Sequence, residues 1–223
     1  MIESVFPCPV YIAKRDLNLS PEEALQHQQE DNLNLNDISF EEAIEIGDII
    51  NEGMESNGSN STSKNNYIFD TQLKKIKEFC EEQIKEYVKQ VINPVEDQDF
   101  YITQSWLNVT RPGENHYEHC HANSIISGVF YISTGEDDNI TFFDPNYHLK
   151  NTIKFETKSF SIWNAETYVI QANSNELILF PSWLNHMVEA NPKATKDRLS
   201  ISFNTFVRGI IGEKTGKYEL ILK

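Results

Sequence analysis

Arg198-Leu199-Ser200-Ile201-Ser202-Phe203-Asn204 alternates polar and apolar side chains at every step, and this pattern decides the fold class. In an extended strand, residues two apart share a face. Arg198, Ser200, Ser202 and Asn204 therefore fall on one side, and Leu199, Ile201 and Phe203 on the other. The same period of two predicts strands over residues 101–110, 124–134, 139–143, 152–162, 168–171, 176–180 and 199–207. Turn signals separate them: Arg111-Pro112-Gly113, Gly135-Glu136-Asp137-Asp138, Asp144-Pro145-Asn146, Asn173-Ser174-Asn175 and Asn191-Pro192. Short strands in series without intervening helices favour a jelly roll or barrel over an α/β sheet.

Upstream of this β region, residues 1–99 read mainly as helical. Ser20-Pro21-Glu22-Glu23 places a capping serine before a proline, and Ser39-Phe40-Glu41-Glu42 has the spacing of a capping box. Residues 51–66 are rich in Asn, Ser and Gly and predict a mobile loop. Leu73, Ile76, Cys80, Ile84, Tyr87 and Val91 step by three or four, predicting an amphipathic helix that starts at an Asp70 cap and ends before Pro94. Cys80 falls on its apolar stripe. The expected organisation is one domain over residues 1–223, with helices in 1–99 packed on a β core in 100–223.

The net charge of −15 disfavours nucleic acid and anionic membranes as partners. No run approaches the roughly 18 apolar residues of a membrane helix. Cys8, Cys80 and Cys120 are too few and too scattered for a disulfide framework or a CxxC metal knuckle. With no signal peptide evident at the N-terminus, a cytoplasmic, reducing compartment is expected.

The chemistry-bearing residues cluster around His119-Cys120-His121 and Pro181-Ser182-Trp183-Leu184-Asn185-His186. If His119 and His121 lie on one strand, their side chains point together and Cys120 points away. A third metal ligand must then come from a neighbouring strand, and His186 is the natural candidate. Arg198 and Ser200 follow closely, and a guanidinium beside a hydroxyl suits a buried carboxylate. Arg208, at the far end of the same strand, is the alternative cation. Tyr131 shares the face of the histidine pair.

These pieces resemble the 2-oxoglutarate- and Fe(II)-dependent dioxygenases, and look most like a small group of them from marine bacteria and their phages. The resemblance is carried by Val5-Phe6-Pro7, Trp106-Leu107-Asn108, His119-Cys120-His121, Ser127-Gly128-Val129-Phe130-Tyr131, the run Leu179 to His186, and Arg198 to Asn204. It implies a double-stranded β-helix of the cupin type, with N-terminal helices packed on it. It also implies Fe(II) as metal, 2-oxoglutarate and molecular oxygen as cosubstrates, and hydroxylation of a small-molecule or protein substrate with release of succinate and CO2. His119 and His186 match the family's two histidine ligands. Arg198 and Ser200 match the residues that hold the distal carboxylate of 2-oxoglutarate, with Tyr131 and Asn108 beside them. Pairing of two such barrels into a homodimer is a further expectation.

One position departs from the family pattern. The wider superfamily carries Asp or Glu two residues after the first histidine, where this chain has His121. Three histidines would leave Fe(II) plus a 2-oxoglutarate dianion formally neutral. A second register, His116 and Glu118 with His186, restores the carboxylate and leaves His121 beside the metal. Two other readings keep the fold: a metalloenzyme of the cupin type that needs no 2-oxoglutarate, and a barrel that binds metal without catalysis.

Overall fold

A computed structural model describes residues 7–17, 38–96, 98–150 and 152–221. The helix expected after Ser20 and the Val5-Phe6 part of the family pattern lie outside them. In chain order the elements are β1 (Tyr11–Lys14), α1 (Phe40–Glu52), β2 (Met54–Ser56), β3 (Ser61–Ser63), α2 (Ile68–Thr71) and α3 (Lys74–Tyr87), which runs into a π turn (Val88–Ile92). There follow β4 (Asp99–Thr110), β5 (His116–His119), β6 (Ile126–Ser133), β7 (Asn139–Phe143), α4 (Tyr147–Lys150), β8 (Thr167–Gln171), β9 (Glu176–Pro181), β10 (His186–Val188), β11 (Arg198–Ile211) and β12 (Tyr218–Leu220).

The strands form two antiparallel sheets. The larger runs β1-β9-β6-β11-β4-β3-β2, with β12 added to β11, and the smaller runs β5-β10-β7-β8. One core lies between the sheets, where Val129, Tyr131 and Ile178 of the larger meet Ile140 and Phe142 of the smaller. The other core lies on the opposite face of the larger sheet. There Leu199, Ile201 and Phe203 of β11 pack with Ile46 and Ile49 of α1 and Ile76, Cys80 and Ile84 of α3. The larger sheet is thus covered on both faces, and the alternation of β11 divides it between an apolar and a polar layer. This is the jelly roll expected from the sequence.

Gly128 of β6 shows how tight the outer layer is. It pairs with Phe203 across the sheet, and a Cβ at this position would come within 2.2 Å of the Phe203 ring. The ring occupies the space that any side chain there would need.

The helices are anchored by polar contacts. Ser39 and Glu42 form the expected capping box, worth about 1 kcal/mol for the serine. Glu42 also accepts from Arg15 Nη2 at 2.7 Å, tying the segment after β1 to α1 in a part-buried ion pair.

Several expectations need correction. Helix α3 starts at Lys74 after a left-handed Leu73 (φ 56°), not at an Asp70 cap. The Leu73 side chain is fully buried and its N–H donates to Glu45 Oε2 at 2.8 Å, which holds a backbone conformation that leucine disfavours. The π turn takes more residues per turn than an α-helix and so shifts the buried stripe: Val88 is buried and Val91 is exposed. The segment expected as a mobile loop over 51–66 instead holds the end of α1 and a hairpin, β2–β3, on the edge of the larger sheet. Its tip is organised by Asn57 Oδ1, which accepts from the N–H groups of Ser59 and Asn60. Residues 152–162 form no strand. β7 pairs directly with β8, Phe143 opposite Thr167, so this segment is looped out and its alternation meets no partner.

Candidate metal centre

The turn from β9 to β10 and the end of β5 bring three imidazoles together. His119 and His186 are direct cross-strand partners. His121 lies just beyond the end of β5, and its backbone N–H donates to Ser182 O at 2.8 Å. One ring nitrogen from each histidine lies within 4.8 Å of the others, and the Nε2 atoms of His121 and His186 are 3.3 Å apart. The convergence expected of His119 and His121 therefore occurs, although only His119 is part of the strand. Cys120 is exposed between them.

Backbone carbonyls fix two of the tautomers. His119 Nδ1 lies 2.8 Å from Tyr117 O, and His186 Nδ1 lies 2.9 Å from Leu184 O. A carbonyl only accepts, so in each neutral ring Nδ1 carries the proton and Nε2 keeps a lone pair. Desolvation pushes His186 down to about 3, against a raising backbone hydrogen bond at Leu184 and with the neighbouring imidazoles adding to the fall. Desolvation first, then His119, lowers His121 to about 4, with the Asn204 side chain acting in the opposite sense as a hydrogen-bond partner. Both rings are therefore neutral at physiological pH, the state a metal ligand requires.

Ser182 joins the two chain segments that carry these rings. It is fully buried. Its carbonyl accepts from His121, its N–H donates to Ile125 O at 3.0 Å, and its hydroxyl contacts Ser127 Oγ at 2.8 Å and Ser124 Oγ at 2.7 Å. Ser127 in turn donates to Asn204 Oδ1 at 2.9 Å. A buried polar network with this many bonds fixes the approach of the β5 end to the β9–β10 turn.

The alternative carboxylate register is not brought together. Glu118 is exposed and accepts from Asn185 Nδ2 at 2.8 Å, outside the histidine cluster. His116 faces the same recess and stacks on His119 with ring centroids 4.3 Å apart.

The recess between the sheets spans about 540 Å³, counting the solvent at its open mouth. Beyond the histidines its wall contains Arg198, Ser200, Tyr131 and Asn108. Arg198 is buried, with Nη1 3.8 Å from Asp138 Oδ1. Asp138 also receives Gly135 N–H at 2.7 Å and Asn191 Nδ2 at 3.1 Å. Its charge is shared among these donors, so it only partly occupies the five N–H groups of the guanidinium. A second carboxylate facing Arg198 fits that remaining capacity. Tyr131 is raised to about 12 by burial, with Arg198 opposing and Asp138 reinforcing, so its phenol stays an O–H donor.

Asn108 Nδ2 lies 2.9 Å from Ser202 Oγ, while its buried Oδ1 has no partner. The reversed amide orientation fits the same heavy-atom positions. It lets Oδ1 accept from the Ser202 hydroxyl and turns the amide donors toward the recess. Arg208, the alternative cation, is half-exposed and paired with Asp99. Asp138 was missed in the sequence, because nothing distinguishes it from Asp137 within the acidic turn. Asn60, which also lines the recess, was hidden in the Asn- and Ser-rich segment read as a loop.

Residues 104–204 match the protein-family model described as "Putative 2OG-Fe(II) oxygenase". A search of curated protein sequences finds no match. Among solved structures, the α-ketoglutarate-dependent carbocyclase SnoK from nogalamycin biosynthesis aligns with a TM-score of 0.55 at 11% identity, covering 89% of this chain and 79% of that one. The epimerase SnoN from the same biosynthesis aligns with a TM-score of 0.51 at 10% identity, covering 74% and 71%. A Pseudomonas putida prolyl-4-hydroxylase aligns at 15% identity with a TM-score of 0.47, covering 73% and 83%. At such identities SnoK and SnoN speak for the fold, and the family model speaks for the β core that carries the recess. Residues 104–204, which carry the three histidines and Arg198, are thus similar to the 2OG-Fe(II) oxygenase family over the β core.

Proposed function

We propose that the chain is an Fe(II)- and 2-oxoglutarate-dependent hydroxylase, with His119, His121 and His186 as metal ligands and Arg198 as the anchor of the cosubstrate's distal carboxylate. The observation that carries this reading is the shared recess: three convergent imidazoles and one buried, partly paired arginine face the same volume. Neutral imidazole donors suit Fe(II) and its neighbours in the first transition row. Bound Fe(II) and 2-oxoglutarate would supply oxygen activation, coupling decarboxylation to succinate with oxidation of a substrate C–H bond.

The chain's own residues do the positioning. Tyr117 O and Leu184 O hold the proton on Nδ1 of His119 and His186 and so present Nε2 to the metal. Ser182 keeps His121 beside them. Arg198 forms a charge-assisted contact with the distal carboxylate, and Ser200, Tyr131 and Asn108 add neutral donors. Phe180, Val129 and Ile140 line the recess with apolar surface, which strengthens these polar contacts by limiting water.

Residues 1–223 are read as one oxygenase domain in which the helices contribute packing. No helix among the described residues is long and apolar enough to cross a membrane, and the reading is a cytoplasmic enzyme acting on a small molecule or protein. The charge of −15 weighs against a nucleic-acid substrate. An aerobic assay with Fe(II) and 2-oxoglutarate tests the reading. Succinate should form in step with 2-oxoglutarate consumption, even without the substrate at a slow uncoupled rate. Metal-bound protein that neither binds nor consumes 2-oxoglutarate would instead support the 2-oxoglutarate-independent alternative.

A further inference from the structure

The looped-out segment between β7 and β8 is closed at its base and apolar at its surface. Asp144 N–H donates to Glu166 O at 2.8 Å at the base. Farther out, Asn164 Oδ1 accepts from Ser161 N–H at 2.7 Å, and Asn164 Nδ2 donates to Ser159 O at 3.1 Å. This small bonded turn holds its side chains outward instead of letting them fold onto the barrel. Leu149, Ile153, Phe155, Phe160, Ile162 and Trp163 are all exposed, Phe160 by 82% and Phe155 by 80%. Val169 of the adjoining β8 is exposed as well. Soluble monomers seldom leave this much apolar surface on one segment in water.

We infer that this face, formed by residues 147–150 and 152–169, pairs with the same face of a second copy of the chain in a two-fold dimer. Three observations select a second copy as occupant. The first is charge. Residues 147–169 carry three lysines (Lys150, Lys154, Lys158) against two glutamates (Glu156, Glu166), in a chain of net charge −15. Two copies repel each other over most of their surface, but not here. The second is an open edge. Among the described residues β8 pairs only with β7, so its outer edge offers unpaired backbone groups, and a two-fold axis beside it would join two four-stranded sheets.

The third is area. Aromatic side chains cover roughly 150–250 Å² each when buried, so Phe155, Phe160 and Trp163 together with the four aliphatic side chains offer on the order of 800 Å² per copy. A stable interface needs about 800 Å² per partner, and it is characteristically rich in Phe, Tyr and Trp.

Sedimentation equilibrium on the full chain over a concentration series tests the proposal. The expected species has about twice the 25.8 kDa chain mass. The exposed-site variant Phe155→Glu/Phe160→Glu should weaken self-association at least about 100-fold, as loss of central aromatic anchors does. Val169→Lys, which charges the strand edge, should weaken it independently. Single-chain mass at the highest soluble concentration, or a dimer indifferent to both variants, would overturn the proposal. A monomer that floats with neutral phosphatidylcholine vesicles would also overturn it, and would assign the face to a lipid surface. None of these outcomes depends on the metal or on 2-oxoglutarate, so the pairing and the proposed chemistry stand or fall separately.

Discussion

The two sheets bring different things to the recess. The larger sheet is packed on both faces and supplies Arg198, Ser200, Tyr131 and Asn108, each on a long strand held by neighbours on either side. The smaller sheet is built of strands of three to five residues and leaves β8 exposed. It supplies His119 and His186, with His121 just past its edge. The proposed anion end of the site is therefore fixed by the core of the protein. The proposed metal end depends on local bonds: two backbone carbonyls behind His119 and His186, and the Ser182 network behind His121. Damage to the two ends should have separable consequences.

The largest separation is expected from Arg198→Ala. Removing the buried cation should weaken 2-oxoglutarate binding at least about 100-fold, in line with the 2–5 kcal/mol typical of losing one partner of a buried charge pair. Fe(II) affinity should change little, because the ligand rings are held by Tyr117 O, Leu184 O and Ser182 O, not by Arg198. It should also lower the melting temperature, since Asp138 loses its ion-pair partner. Separate titrations with metal alone and with metal plus 2-oxoglutarate distinguish the two losses, and a parallel fall in both would break the comparison.

Gly128→Ala tests the other property of the larger sheet, its packing. The new methyl group collides with the Phe203 ring, and overpacking of this kind costs about 1–3 kcal/mol. Urea unfolding should show that loss while the metal-binding stoichiometry of the folded fraction is kept.

Acid should act on the metal end. His116, like His121, is lowered to about 4, and His186 to about 3, in each case mainly by desolvation. Their ordinary value is 6.5, so between that value and about 4 the unfolded chain binds more protons than the folded one. Stability of the metal-free protein is then highest above pH 6.5 and falls as pH drops through this window. A urea midpoint that is lower at pH 5 than at pH 7 would agree with this, and equal midpoints would contradict it. The smallest effect belongs to Glu118→Gln, which should leave metal affinity within about twofold, because this exposed carboxylate pairs with Asn185.

The same contrast explains what the sequence disclosed. β11 and β6 were legible because the larger sheet is covered on both faces and its alternation records two different environments. Ser39 and Glu42 were legible because a capping box is local. The smaller sheet was harder. Residues 152–162 alternate well enough to suggest a strand, yet whether they pair depends on β7 meeting β8 directly. β5 and β10 are too short for a period to register, although the histidines they place were recognisable by type and spacing. Asp138 is invisible for a related reason, since its contact with Arg198 spans sixty residues and leaves no local trace. The π turn after α3 likewise follows from packing rather than from any breaker residue.

The central claim is that His119, His121 and His186 together hold a metal that receives 2-oxoglutarate in front of Arg198. An anaerobic absorption titration of the full chain with Fe(II) and then 2-oxoglutarate tests it most directly. The account predicts a visible metal-to-ligand charge-transfer band that saturates at one 2-oxoglutarate per chain and is absent from a folded His186→Ala variant. The same band at full strength in that variant, or no band in wild-type protein with Fe(II) bound, would contradict it.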